Sequence, residues 1–183
     1  MGLFGRFRKR KMPSEKEFAK AFESFQKLCD TDIHDIWNIK NTNHFMTAMN
    51  SWICKKCGGG SQMQLLSDQE RVIYFTFQLE AEVNNGGFYQ FFYNAYGDIS
   101  ADLVASFEAI GAEQTAGICK KAVGVFDENL PADRTQRREF LDRTFTDEMS
   151  QVLSECDEEF YSQTDDLEKL NYQFIMKNKA GFS

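Results

Sequence analysis

Apolar residues recur at helical spacing along most of the chain. Phe18, Ala21, Phe22, Phe25 and Leu28 follow i, i+3, i+4 steps, and Ser14 with Glu17 reads as a capping box opening that helix. Leu103, Val104, Phe107 and Ile110 repeat the pattern, with Gly111 placed to close it. Ser67 and Glu70 make a second capping box before a run to Val83. Within that run Ile73, Phe75, Phe77, Leu79 and Val83 alternate as in a strand, whereas Val72, Thr76, Leu79 and Val83 share a helical face. The capping box, the length of the run and the Asn-Gly after it decide for helix. Two short helices are expected over 31–55, around Asn41-Thr42-Asn43, with Trp37 and Trp52 contributing to the core, and 54–62 reads as a loop. Further helices are expected over 112–126, 133–144, 147–161 and 165–178. Thr146 and Thr164 stand as N-caps, with Asp147, Glu148, Asp165 and Asp166 in first turns that favour acids. The two prolines, Pro13 and Pro131, leave room for long helices. The expected fold is all-α, a single compact domain of about eight to nine helices over residues 13–183, preceded by a short arm over 1–12.

One stretch departs from this helical pattern. Glu82 to Asn94 reads E-V-N-N-G-G-F-Y-Q-F-F-Y-N. Asn84, Asn85, Gly86 and Gly87 tolerate positive φ, so they are expected to stop one helix and act as a hinge into the next. Phe88, Phe91, Phe92 and Ala95 then form an apolar face, Tyr89, Tyr93 and Tyr96 a second stripe, and Gln90 and Asn94 a third face one turn apart. Read as structure, this is a corner whose amides satisfy orphan backbone groups at helix ends. Read as function, it is an amide-rich pocket for a small molecule.

Charge sharpens the picture. The chain of 183 residues has a net charge of −7, unevenly spread. Arg6, Arg8, Lys9, Arg10 and Lys11 lie in the first 11 residues without an acid, which leaves −12 on residues 12–183. Residues 127–169 hold 14 acids against 5 bases, a net of −9. A body this acidic repels nucleic acid and attracts basic partners. Leu3, Phe4 and Phe7 accompany the arm's bases, a composition that fits a frayed basic terminus and, as alternatives, contact with an anionic membrane surface or with nucleic acid. Gly2 resembles a myristoylation start, but Arg6 stands where that motif has Ser or Thr. The odd number of five cysteines and the lack of an apolar signal or membrane-spanning run point to the cytoplasm.

Chemical motifs are sparse. Cys54-Lys-Lys-Cys57 is half of a zinc site, and His34, His44 and Cys29 lie at no spacing that completes it. A redox role for that pair would want a βαβ context. Glu80 and Glu82 are two apart, hence on different helix faces, and cannot act together as a carboxylate pair. No metal site, cofactor or catalytic residue is therefore assigned. Glu148, Glu155, Glu158, Glu159, Asp165 and Asp166 form the candidate partner-binding set, with carboxylates three or four apart about 5–6 Å from one another on a helix surface. The plain alternative is a solvated face serving solubility.

The run from Glu82 to Gly97 resembles the signature of a family of small helical bacterial proteins typified by DNA mimic protein nineteen. Glu82, Asn84, Asn85, Gly86, Gly87, Phe88, Gln90 and Asn94 carry the match, and weaker similarity covers Ile110-Gly111-Ala112 and 153–175, about residues 65–178 in all. The resemblance implies an all-α fold. For the DNA-mimic type it also implies an acidic surface that occupies the DNA site of a transcription regulator. Together these readings give a non-enzymatic interaction protein with a basic protein partner, compatible with a homodimer. The signature residues are expected to be structural.

Overall fold

The structure is a computed structural model and describes residues 14–127, 130–162 and 165–183. The arm over 1–12 and the expected cap at Thr164 lie outside the described residues. Among the described residues there are nine α-helices and no strand: α1 Glu15–Cys29, α2 Ile33–Ile36, α3 Thr42–Lys56, α4 Asp68–Tyr93, α5 Leu103–Ile110, α6 Glu113–Gly124, α7 Arg134–Thr144, α8 Asp147–Tyr161 and α9 Leu167–Lys177. None is long and apolar enough to cross a membrane.

The ambiguous run after Ser67 is helix, and its capping box is complete. Ser67 Oγ accepts from Glu70 N at 3.1 Å, and Ser67 N donates to Glu70 Oε2 at 2.8 Å. Apolar residues fall on nearly all sides of α4 because α3, α5, α7, α8 and α9 all pack against it. That explains the ambiguous period: Ile73, Phe75, Leu79 and Val83 are all buried, as a central helix requires. Each fully buried aliphatic or aromatic side chain contributes roughly 1.5–3 kcal/mol, so this axis supplies much of the core.

Three expectations need correcting. The segment 54–62 is not all loop, because Cys54 lies inside α3 and Cys57 closes it. Met49, Ile53 and Cys57 continue one buried face at i, i+4 steps, which extends the helix before a glycine turn at Gly58–Gly60. Trp37 and Trp52, by contrast, pack half-buried against the core as expected. Ala95 belongs to a 3₁₀ segment, Ala95–Asp102, and is exposed, so the apolar face of the second half of α4 consists of Phe88, Phe91 and Phe92. Helix α9 starts at Leu167, where Asp166 accepts from Lys169 N at 3.1 Å as its N-cap.

Two charged residues are buried deeply. The Glu70 carboxylate binds Lys56 Nζ at 2.9 Å and joins the start of α4 to the end of α3. The Arg137 side chain, on α7, is fully buried at the other end of α4. Its guanidinium donates to the carbonyls of Phe92 (2.7 Å), Asn94 (2.9 Å), Ala132 (2.6 Å) and Pro131 (3.1 Å) and to Asp98 Oδ1 (2.6 Å). The last carbonyls of a helix have no intrahelical partner, and here one planar fork of N–H donors takes up two of them, at Phe92 and Asn94, while also holding the segment before α7. Gly97 makes room for it, since a Cβ there would lie 2.5 Å from Arg137 Nε and 2.6 Å from the Phe92 carbonyl.

Replacing Arg137 by Ala should lower unfolding stability by about 3–5 kcal/mol in urea titrations, as expected when one partner of a buried charged network is removed. Arg137→Lys should recover little of it, because an ammonium cannot span the fork's acceptors. A Lys variant as stable as the parent would contradict this role.

Candidate functional site

The signature breaks α4 as expected. Non-helical backbone at Gly86 (φ −173°, ψ 23°) and Gly87 (φ 81°, ψ 177°) ends one helical half and hinges into the next, so the 26-residue element is two helices joined across a kink. The positive φ of Gly87 is a conformation other residues adopt with strain, and a Cβ there would run into the Asp157 carboxylate. A Cβ on Gly86 would meet the Gln90 side chain. Gly87 therefore allows a close approach by α8, and Gly86 leaves room for the Gln90 side chain.

Helix α8 repairs the break. Phe88 N donates to Asp157 Oδ1 at 2.7 Å, so Asp157 acts as the N-cap of the second half of α4. Tyr161 Oη donates to the Val83 carbonyl at 2.7 Å, at the end of the first half. The kink's third tie crosses its inner side: Gln90 Nε2 and Asn94 Nδ2 donate to Glu82 Oε2 at 3.2 and 2.9 Å. The amides thus bond the Glu82 carboxylate rather than backbone groups. Asn84 and Asn85 are exposed, Phe88 is fully buried, and Tyr89 stacks on Tyr93 with ring centroids 5.8 Å apart. Asp157, Tyr161 and Arg137 escape sequence reasoning. Asp157 sits inside an acid run, and its only pointer is its place beside the buried Leu153, Cys156, Phe160 stripe.

The candidate partner-binding acids divide into two groups. Glu148, Glu155, Glu158 and Glu159 are exposed on α8. Lys121 of α6 reaches two of them, with Nζ 3.2 Å from Glu155 and 3.0 Å from Glu159. Hydrogen bonds to the helix start, from its own backbone N–H and then the Thr146 hydroxyl, hold the Glu148 carboxyl below its ordinary pKa. Asp165 is half-buried and accepts from both Thr115 N and Thr115 Oγ1 at 2.8 Å, which ties α6 to the segment before α9. Asp166 is the exposed N-cap of α9 already described.

A cleft of about 430 Å³ opens beside the first half of α4, lined by Glu80, Asn84, Thr115, Asp165, Asp166 and Glu168, among others. Burial there, and then the nearby Glu168 charge, push the Glu80 carboxyl above its ordinary pKa. Among the described residues no group of three or more His, Cys, Asp or Glu side chains is arranged to hold a metal ion. Burial pushes the Cys54 thiol up to about 11, the opposite of an activated thiolate. His34 and His44 are exposed in the first turns of α2 and α3.

Asp157→Ala should cost about 1–2 kcal/mol of unfolding stability through loss of a cap, while Asp157→Asn keeps the acceptor and should cost only a few tenths. Equal losses in urea titration would count against capping. For Glu80 the folded pKa lies above the unfolded one, so its ionisation destabilises the fold as pH rises through and beyond the ordinary glutamate range. Glu80→Gln should accordingly raise the melting midpoint at pH 7, with the gain closing as pH falls below that range. A gain that does not vary with pH would exclude the carboxylate as its cause.

Residues 64–178 match the family described as DMP19-like protein. The match takes in the signature kink, Arg137, both helices that close the kink and all of α4 to α9, and leaves α1, α2 and α3 outside it. No curated protein and no solved structure matches the chain. An all-α fold built on a kinked central helix, with the family match over most of its length, places the chain in the DMP19-like family.

Proposed function

We propose that the protein is a non-enzymatic interaction protein that binds a basic protein partner through α8, in the manner of a DNA mimic engaging a DNA-binding regulator. The observation that carries this reading is the exposed face of α8, with Asp147, Glu148, Glu155, Glu158 and Glu159 and, reaching across from α6, Lys121. From Asp147 to Glu159 the helix rises about 18 Å at 1.5 Å per residue. One DNA strand presents about five phosphates over the same axial length. Five carboxylates over that span, one charge of which Lys121 offsets, approach the linear charge density of a strand, which a protein shaped to bind phosphates could engage.

Helix α8 also supplies rigidity. Its buried Leu153, Cys156 and Phe160 and its bonds to Phe88 N and Val83 O fix it against α4. The acids are thus presented on a surface whose geometry does not need ordering on binding. Asp165 and Asp166 are occupied at helix ends and are left out of the proposed surface.

Capture from lysate should return a basic protein that elutes in a salt gradient, since an interface built on exposed charge is screened by salt. Reversing Glu148, Glu155, Glu158 and Glu159 to Lys should weaken capture by at least about tenfold, the scale of removing several complementary charges. Full capture by that variant, properly folded by circular dichroism, would end the proposal.

A further inference from the structure

Helix α1 does not belong to the core. All described residues from Ser14 to Lys27 are exposed, Leu28 is the α1 side chain that packs against the core, and Phe25 lines a cleft shared with α3. At the end of the helix Ser51 Oγ and Lys55 Nζ both donate to the Cys29 carbonyl at 3.0 Å. The capping box at its start is nonetheless complete, with Ser14 Oγ accepting from Glu17 N at 3.3 Å and Glu17 Oε2 accepting from Ser14 N at 2.8 Å. The helix is therefore terminated as a finished element while its apolar stripe faces solvent. Phe18, Phe22 and Phe25 are 65%, 53% and 54% exposed. Beneath the helix runs an open cleft of about 810 Å³ whose lining includes Ala21, Phe25, Leu28, Ile39 and Thr47.

Three half-exposed phenylalanines on one face of a projecting helix are far from the scattered single apolar residues of an ordinary surface. Charge indicates what covers them. The five bases of residues 6–11 lead directly into α1, interleaved with Phe7 and preceded by Leu3 and Phe4. The lysines of α1 itself, Lys16, Lys20 and Lys27, fall on the side opposite the phenylalanine stripe. The remaining residues, 12–183, carry −12. An anionic surface would attract the basic segment and repel the body, so the chain would meet it with the α1 end first. A second copy of the chain would cover the phenylalanines but leaves the five bases without a role.

We propose that α1 is a peripheral membrane-binding element whose phenylalanine stripe enters the interface of an anionic bilayer, to which the five bases that precede it in the sequence are attracted by charge. The α8 surface plays no part in this, so the two proposals stand or fall separately. Aromatic side chains buried at the acyl boundary and bases in the headgroup layer are the two contributions that hold interfacial helices on membranes. In this arrangement the acidic body hangs away from the bilayer and leaves α8 free.

The test is co-sedimentation of the full chain with phosphatidylcholine vesicles and with vesicles containing phosphatidylglycerol. The chain should pellet with the anionic vesicles and stay in solution with the neutral ones. A variant carrying Phe18→Ser, Phe22→Ser and Phe25→Ser should bind the anionic vesicles at least about tenfold more weakly, with an unchanged thermal melting midpoint because those side chains lie outside the core. A second variant, with Gln in place of Arg6, Arg8, Lys9, Arg10 and Lys11, should lose binding to a similar extent. Failure of the parent chain to pellet would overturn the proposal. Equal binding by the phenylalanine variant would do the same, as would vesicle-independent dimerisation that the Phe18, Phe22 and Phe25 substitutions abolish.

Discussion

A long central helix that must break in the middle needs partners for the backbone groups the break exposes. Gly86 and Gly87 create the kink in α4, and α8 closes it from one side with a carboxylate on Phe88 N and a phenol on the Val83 carbonyl. The Glu82 carboxylate, gripped by Gln90 and Asn94, closes it from the other. Arg137 then ends the helix by binding the Phe92 and Asn94 carbonyls, and joins that end to the segment before α7 through the Pro131 and Ala132 carbonyls. Unsatisfied buried backbone groups cost about 1–3 kcal/mol each, so these ties decide whether the kinked helix can exist at the centre of the core. The helices around α4 take their places from that requirement.

This explains why the signature combines acid, amides, glycines and aromatics in so few residues. The residue types look like those of an active site, yet several of them have a structural partner, while Asn84 and Asn85 are exposed. Glu82 accepts two amide donors, Gly87 admits Asp157, and the phenylalanines fill the core. The outward side of α8 is a different matter. Its inner side holds the kink and its outer side carries exposed carboxylates, of which Glu148 bonds the helix start and Glu155 and Glu159 pair with Lys121. One helix thus carries core contacts on one face and exposed acids on the other.

Much of this was legible in the chain. Helix starts announced by Ser14/Glu17, Ser67/Glu70 and Thr146 appear as capped starts in the structure, because a cap depends on residues within one turn. The Gly111 stop behaves likewise, with φ 82°. What could not be read depends on distant partners. Arg137 looks like one more base in a charged helix until it is seen against the end of α4, and Asp157 looks like part of an acid face until the Gly87 backbone arrives beside it. The α1 stripe is the converse case: helical spacing marked the right helix, but periodicity does not tell whether an apolar face meets the core, and this one does not. The role of Asp165 was likewise hidden, since Thr115 is fifty residues away in sequence.

We propose that interaction chemistry sits on the outer face of α8 and not in the signature kink or the neighbouring cleft. Carboxyl footprinting of the captured complex, with carbodiimide labelling read by mass spectrometry, tests it directly. Glu148, Glu155, Glu158 and Glu159 should be protected by the partner, while Glu80, Glu82 and Glu168 label as in the free protein. Protection confined to Glu80, Glu82 and Glu168, with α8 labelled freely, would contradict the account and place the binding site at the kink.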